Sequence, residues 1–250
     1  FLMSAFGGEP PRLRVSPCPK GLSCGCPKGL SFGWGRLANW FQSWKTRRKM
    51  DRVFSRGQDP YGYERLPYER ERLKAMEAAM GSRMFRHGLE IGCAEGVFTE
   101  KLAARAERLT ALDISPVALS RARRRLAGRQ GLVFVETDLR DWPGPGQGSC
   151  DLIVVGDVLY YMDKPMVRDS FEEAFTRVRG WLADGGLLVL AHGFAGPDER
   201  RVREGYRERF ERLGLRLAAE ETVGDPAVSG GVQCLVSVLA EALKGSPAGA

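Results

Sequence analysis

From residue 85 onward the chain switches repeatedly between two hydrophobic periods. Short, nearly continuous apolar runs read as strands buried on both faces: "GLEIG" (88–92), "RLTALDI" (108–114), "LVFVETD" (132–138), "CDLIVVGD" (150–157) and "GLLVLAH" (186–192). Between and after them, apolar residues recur at helical spacing over 97–107, 116–127, 165–183 and 198–213. Ser115 before Pro116 marks a helix start, a capping hydroxyl followed by a residue with no amide hydrogen to satisfy. Two further runs, "LRLAAEETV" (215–223) and "VQCLVSVLA" (232–240), share a short turn-rich link suited to an antiparallel pair. The expected fold is α/β: a Rossmann-like seven-stranded, mostly parallel sheet with helices on both faces and an antiparallel C-terminal strand pair.

Upstream, "YERERLKAMEAAM" (68–80) puts Leu73, Met76, Ala79 and Met80 on one face of a helix that stops at Gly81-Ser82. Residues 1–49 read differently, crowding Gly, Pro, Ser and Cys around an imperfect repeat, "CPKGLSCG" then "CPKGLSFG". Such a composition offers too little apolar surface to offset the entropy of ordering it. The chain therefore divides into a poorly ordered basic extension (1–49), an N-terminal segment and helix (50–82), the main domain (83–243) and a frayed tail (244–250). Within the extension, "WGRLANWFQSWKTRRK" sets Trp34, Leu37, Trp40, Phe41 and Trp44 at helical spacing ahead of a basic cluster. That pattern suits a membrane-surface or partner-binding helix. The plainer expectation is a segment that packs on the body, or an extension without a function ahead of Met50.

Charge sharpens this division. The net charge is +7, but residues 1–49 hold nine Lys or Arg against Glu9 alone, so the remainder of the chain sits at −1. The arginine-rich "SRARRRLAG" (120–128) reads as a solvated helix face, and no nucleic-acid partner is expected. No run reaches the roughly 18 apolar residues of a membrane span, and no leader pattern opens the chain, so a soluble cytoplasmic protein is expected. Cys93, Cys150 and Cys234 fall in apolar runs and read as core thiols. Cys18, Cys24 and Cys26 lack the paired C-x2-C spacing of a zinc site, and no metal is expected.

The chemistry centres on "LEIGCAEG", the first strand-to-helix turn. In a doubly wound sheet that turn meets the ligand, and Gly92, Ala94 and Gly96 let the backbone bend and approach it closely. A dinucleotide fingerprint would read G-x-G-x-x-G; here the spacing is Gly92-x-Ala94-x-Gly96, with Glu90 just ahead. A carboxylate there repels a pyrophosphate and favours a sulfonium or ammonium, so the turn fits S-adenosylmethionine better than a nicotinamide dinucleotide. Asp113 ends the second strand, where a carboxylate can accept ribose hydroxyls. Asp138 and Leu139 follow the third, suited to an adenine amino group and its apolar cover, and Asp157 follows the fourth. Cys93, Ile114 and Val158, neighbours in the same turns, join the expected cofactor set.

These runs carry a resemblance. From about Asp59 to Ala240 the sequence is similar to class I S-adenosylmethionine-dependent methyltransferases: "LEIGCAEG" matches their E-x-G-x-G-x-G loop with Ala94 for the middle glycine, and "ALDIS", "ETDL", "DLIVVGDVLYY" and "WLADGGLLVLAH" match the signatures that follow. More narrowly, "PYE" (67–69), "GDVLYY" (156–161) and "LVLAHG" (188–193) resemble the nodulation-protein-S type, which implies N-methylation of an amino sugar or related small molecule. The resemblance implies direct methyl transfer without a metal. An amine acceptor must first lose a proton, so Asp157 and His192 are candidate bases and Tyr160 and Tyr161 candidate pocket walls. It also implies that the segment with Tyr61, Tyr63 and Tyr68 folds over the cofactor, with Tyr68 among the cofactor contacts. O-methylation of a natural product, a nicotinamide-dependent oxidoreductase and a non-catalytic cofactor-binding protein are the alternatives.

Overall fold

The structure, a computed structural model, describes residues 31–241, with side chains from residue 35. All seven expected strands form one sheet in the order β3-β2-β1-β4-β5-β7-β6. They are β1 (Phe85–Ile91), β2 (Ala106–Asp113), β3 (Leu132–Glu136), β4 (Cys150–Gly156), β5 (Leu182–Ala195), β6 (Leu215–Val223) and β7 (Val232–Glu241). Strands β1 to β5 pair in parallel, and β7 inserts antiparallel between β5 and β6. The chain winds outward from β1 to β3 and returns to β4 at the other side of β1. That reversal opens a crevice beyond the carboxyl ends of β1 and β4, the usual place for a ligand in such sheets.

Among the described residues seven α-helices surround the sheet: α1 (Ser31–Ser55), α2 (Pro67–Ala78), α3 (Val97–Ala103), α4 (Pro116–Arg125), α5 (Leu159–Met162), α6 (Arg168–Trp181) and α7 (Gly196–Arg212). Side-chain alternation along β4 divides the core. Ile153 and Val155 meet Phe171, Phe175, Trp181, Tyr206 and Phe210 of α6 and α7 on one face. Leu152 and Val154 meet Leu73, Met76 and Met80 of the α2 region and Phe98 and Leu102 of α3 on the other. The near-continuous apolar runs follow from this, because a strand covered twice has no solvent side. At Ser115 the expected cap forms, its Oγ accepting from the Ala118 amide at 3.3 Å.

Three expectations shift. Strand β1 begins at Phe85 rather than 88, because Phe85 pairs with Ala106 and is buried despite the polar Arg86 and His87 after it. Helix α3 ends at Ala103, since the chain is already in β2 from Ala106. The boundary expected between 49 and 50 falls inside α1, whose buried Met50 and Phe54 seat on Ala94 and Ala118, so residues 31–49 are helical rather than poorly ordered. The repeat up to residue 30, Cys18, Cys24, Cys26 and the tail 244–250 lie outside the described residues, while the repeat's last residues, 31–33, open α1. Among the described residues no helix is long and apolar enough to cross a membrane.

Candidate active site

Between β1 and α3 the chain turns through Gly92 (φ 89°), Ala94 (φ 47°) and Gly96 (φ 83°). The amides of Gly92 and Cys93 both donate to the Leu112 carbonyl, at 2.8 and 2.9 Å, tying the turn to β2. A Cβ at Gly92 would stand 2.3 Å from Val158 Cγ2 and 2.8 Å from the Gly156 carbonyl, so only glycine lets the turn after β1 meet the one after β4. Gly96 lies against Ala122 of α4 in the same way. Ala94 adopts a left-handed backbone that costs a non-glycine residue about 1–2 kcal/mol. Its methyl is buried among Met50, Phe54 and Ala118, which returns about 0.8 kcal/mol. With those effects opposed, Ala94→Gly shifts unfolding free energy by less than about 1 kcal/mol, measurable by urea denaturation.

Carboxylates surround this turn. Glu90 is buried in β1, accepts a hydrogen bond from Thr99 Oγ1 at 2.6 Å, and is pushed up to about 7 by burial against the opposing effect of that bond. Asp113 accepts from the amides of Ala94 at 2.9 Å and Ser115 at 2.8 Å, and burial raises it to about 6. Asp157, left-handed at φ 52°, donates its own amide to the Ala191 carbonyl. Its carboxylate accepts from the Gly193 amide at 2.7 Å and from Arg72 Nη1 at 2.6 Å. Arg72 reaches across from α2, is 4 % exposed, and also pairs with Glu69 at 2.9 Å. One cavity is lined by Tyr63, Arg72, Glu90, Gly92, Ala94 and Asp157 together with apolar side chains of α2, α3 and β4.

The fold thus brings Glu90, Gly92, Cys93, Ala94 and Asp157 into one cavity, with Asp113 bonded to its rim and Val158 against Gly92. Ile114 packs with Ala94 and Tyr61 under α1. Four expected residues stand otherwise. Both oxygens of Asp138 are engaged, by Arg140 at 3.0 and 2.6 Å and by Ser43 of α1 at 2.8 Å. Burial works to raise this acid, but the Arg140 pair holds it below its ordinary value. Its carboxylate is therefore turned to α1, not free for an adenine amino group. The Leu139 side chain belongs to the core under α6. Tyr68 lies against Gly193 and Gly224 at the ends of β5 and the β6–β7 link, outside the cavity lining.

His192 is the fourth. It is 2 % exposed between Tyr160 and Tyr206, on the sheet face away from the cavity, and its Nε2 has no hydrogen-bond partner among the described residues. Burial lowers its pKa to about 4, so the ring stays neutral and is a poor proton acceptor at neutral pH, contrary to the role expected from its strand-end position. A His192→Phe variant should keep its turnover and pH–rate profile, since replacing an unpartnered buried polar group by an apolar one is near neutral. Tyr160 and Tyr161 lie 4.5 Å apart between centroids, and both rings are largely withdrawn from solvent, which raises their hydroxyl pKa values. The sequence reading missed Arg72, since no local signal sets it apart from the other basic residues of α2 and its partner Asp157 lies 85 positions away. It also missed Glu95, buried, which accepts the Asp59 amide at 2.9 Å and pairs with Arg121.

A family model described as Nodulation protein S (NodS) matches residues 47–189. Nodulation protein S of Rhizobium tropici is 37% identical over 133 residues, 53% of this chain and 54% of that protein. Its counterpart in Sinorhizobium fredii is 36% identical over 134 residues, 53% of this chain and 60% of that protein. The aligned region thus spans only slightly more than half of the curated relatives. Among solved structures, N-methyltransferase NodS from Bradyrhizobium japonicum WM9, in complex with S-adenosyl-L-homocysteine, superposes with a TM-score of 0.67 at 29% identity, covering 78% of this chain and 97% of that one.

Proposed function

Because this chain belongs to the Nodulation protein S family, we propose that it is an S-adenosylmethionine-dependent N-methyltransferase whose acceptor is an amino group on an amino sugar or related small molecule. The observation that carries this reading is the convergence of Glu90, Asp157 and Arg72 on the glycine turn at the switch point, with Asp113 at its rim. A pyrophosphate would bring two negative charges against Glu90 and Asp157. A ligand with a sulfonium, an ammonium and one carboxylate matches the donor set: acids for the cations, Arg72 for the carboxylate. Asp113 retains acceptor capacity for ribose hydroxyls beyond the two amides it already serves.

When bound, S-adenosylmethionine supplies an electrophilic methyl carbon on sulfur. The protein's contribution is then positional. The Gly92–Gly96 turn and Asp113 hold the adenosyl end, Arg72 holds the carboxylate, and α1 with the 57–66 turn excludes water from above. Orientation of this kind is worth roughly 7–11 kcal/mol when the reacting atoms are held in line. Asp157, at the end of β4 beside the Tyr160–Tyr161 pair, faces the acceptor and orients its N–H, while the amine gives up its proton to solvent before the nitrogen lone pair attacks.

Protonation gives a test with a definite sign. Glu90 titrates near 7 in the folded chain against an ordinary 4.5, so across that window the folded state holds a proton the unfolded state has lost. Unliganded stability therefore falls as pH rises through it. A sulfonium favours the ionised acid, so affinity for S-adenosylmethionine relative to uncharged-sulfur S-adenosylhomocysteine rises severalfold between about pH 6 and 8. Glu90→Gln flattens that rise in calorimetric titrations. For the acceptor, labelled S-adenosylmethionine is offered with free-amine sugars, their N-acetylated forms and hydroxyl-only sugars. Label in the free amines alone supports the reading; label in hydroxyl-only acceptors would favour O-methylation instead.

A further inference from the structure

Helix α1 meets the body with its polar side. Asn39 accepts from Ser170 at 2.6 Å, Ser43 donates to Asp138, Arg47 pairs with Glu136 at 2.9 Å, and Asp51 accepts from Ser115 at 2.5 Å. Among its described side chains, the buried apolar anchors are Met50 and Phe54, in the last turns. The aromatic side of the helix points the other way. Leu37 (60 % exposed), Trp40 (65 %), Phe41 (45 %) and Trp44 (44 %) follow the i, i+3, i+4, i+7 spacing of a single face. Met166, 63 % exposed, stands on the neighbouring turn that α1 contacts. A helix that only needed to pack on its own domain would bury that stripe and solvate its serine and asparagine. The packing reading of "WGRLANWFQSWK" therefore accounts for the wrong face.

Charge identifies what the stripe faces. Arg36, Lys45, Arg48 and Arg52 are exposed on α1, and Arg48 lies over the Trp44 ring at 5.3 Å, whereas Lys49 turns to the body over the Tyr161 ring. The only acid in the helix, Asp51, is turned inward to Ser115. A second copy would bring this face against another of the same sign. The preceding residues 1–30 have four basic residues and one acidic, so they are no complement either. Tryptophan and phenylalanine beside uncompensated Lys and Arg are the side chains that settle at the headgroup level of an anionic bilayer. We propose that the outer face of α1, centred on Trp40 and Trp44, docks this protein on membrane surfaces bearing anionic lipid headgroups. The inner face of the same helix holds Asp138 and covers Ala94, so the docked helix stays seated over the turn at Gly92.

Co-sedimentation of the full chain with phosphatidylcholine vesicles, with and without phosphatidylglycerol, tests this. Each Lys or Arg near an anionic surface is worth about 1 kcal/mol, so binding to the phosphatidylglycerol vesicles should exceed that to pure phosphatidylcholine at least about tenfold and weaken with salt. The W40S/W44S double variant and, separately, the Arg48→Gln/Arg52→Gln variant should each lose about tenfold or more, while binding S-adenosylhomocysteine in solution as the parent does. Trp40, Trp44, Arg48 and Arg52 are all exposed, so both variants should fold, as circular dichroism would verify. Absence of vesicle binding, binding undiminished in W40S/W44S, self-association that the same variant abolishes, or capture of single-stranded RNA in place of vesicles would each overturn the proposal.

Discussion

Replacing Asp113 with alanine should weaken S-adenosylhomocysteine binding at least about a hundredfold, measured by titration calorimetry. The carboxylate accepts two backbone amides, at Ala94 and Ser115, and in the proposed complex also the ribose hydroxyls. Hydrogen bonds to a charged group contribute about 1.5–3 kcal/mol each, so losing two to the ligand exceeds the 2.7 kcal/mol or so that a hundredfold represents. The substitution also strips two amides of the turn of their partner, at about 1–3 kcal/mol each, and a lowered melting temperature should accompany the lost affinity. Asp113→Asn separates the two effects. It keeps the side-chain carbonyl for one amide but turns a donor toward the other, so the fold recovers more than the affinity does. Undiminished binding in both variants would remove the adenosyl ligand from the end of β2.

The second large effect is expected at Arg72. Its guanidinium is buried between Glu69 and Asp157, and these neighbours hold its pKa well above the ordinary value even though burial opposes them. Arg72→Met leaves both acids without their cation, and breaking a buried pair in this way costs about 3–5 kcal/mol. Adding Asp157→Asn should restore part of that, because the uncompensated charge is then gone. Ligand binding gives an independent readout. The unmodified chain should prefer S-adenosylhomocysteine over its decarboxylated analogue, S-adenosyl-3-thiopropylamine, which keeps the ammonium and lacks only the carboxylate, by roughly thirtyfold, in the range of a buried charged contact. In Arg72→Met that preference should fall to threefold or less. A preference unchanged by the substitution would show that the carboxylate sits elsewhere.

What the sequence could and could not reveal divides along the distance between partners. The strands were legible because Leu152–Val155 and Leu188–Ala191 are covered on both faces and carry that fact as unbroken apolar runs. The turn at Gly92–Gly96 was legible because its demands are local: left-handed backbone and close approach at positions a few residues apart. Arg72 was not, since what makes it a site residue is Asp157, 85 positions away. Asp138 shows the same limit from the other side. The sequence ended the third strand at Asp138, two residues beyond Glu136 where β3 stops, and Ser43, 95 residues upstream, and Arg140 determine where its carboxylate points. For His192, the position beyond the core of β5 suggested the crevice, whereas strand alternation sends its ring to the opposite face beside Tyr206. Helix α1 combined both difficulties. Its periodicity was visible, but nothing local could say that Trp40 and Trp44 face away from the body.

The central claim is that the turn at Gly92 receives an adenosyl sulfonium ligand and not a nicotinamide dinucleotide. Calorimetric titration of S-adenosylmethionine, S-adenosylhomocysteine and NAD into the unmodified chain tests it most directly. The account predicts one-to-one binding of both adenosyl ligands and no heat from NAD. Binding of NAD with neither adenosyl ligand bound would contradict it, and the acids gathered around the turn would then have to serve a different ligand.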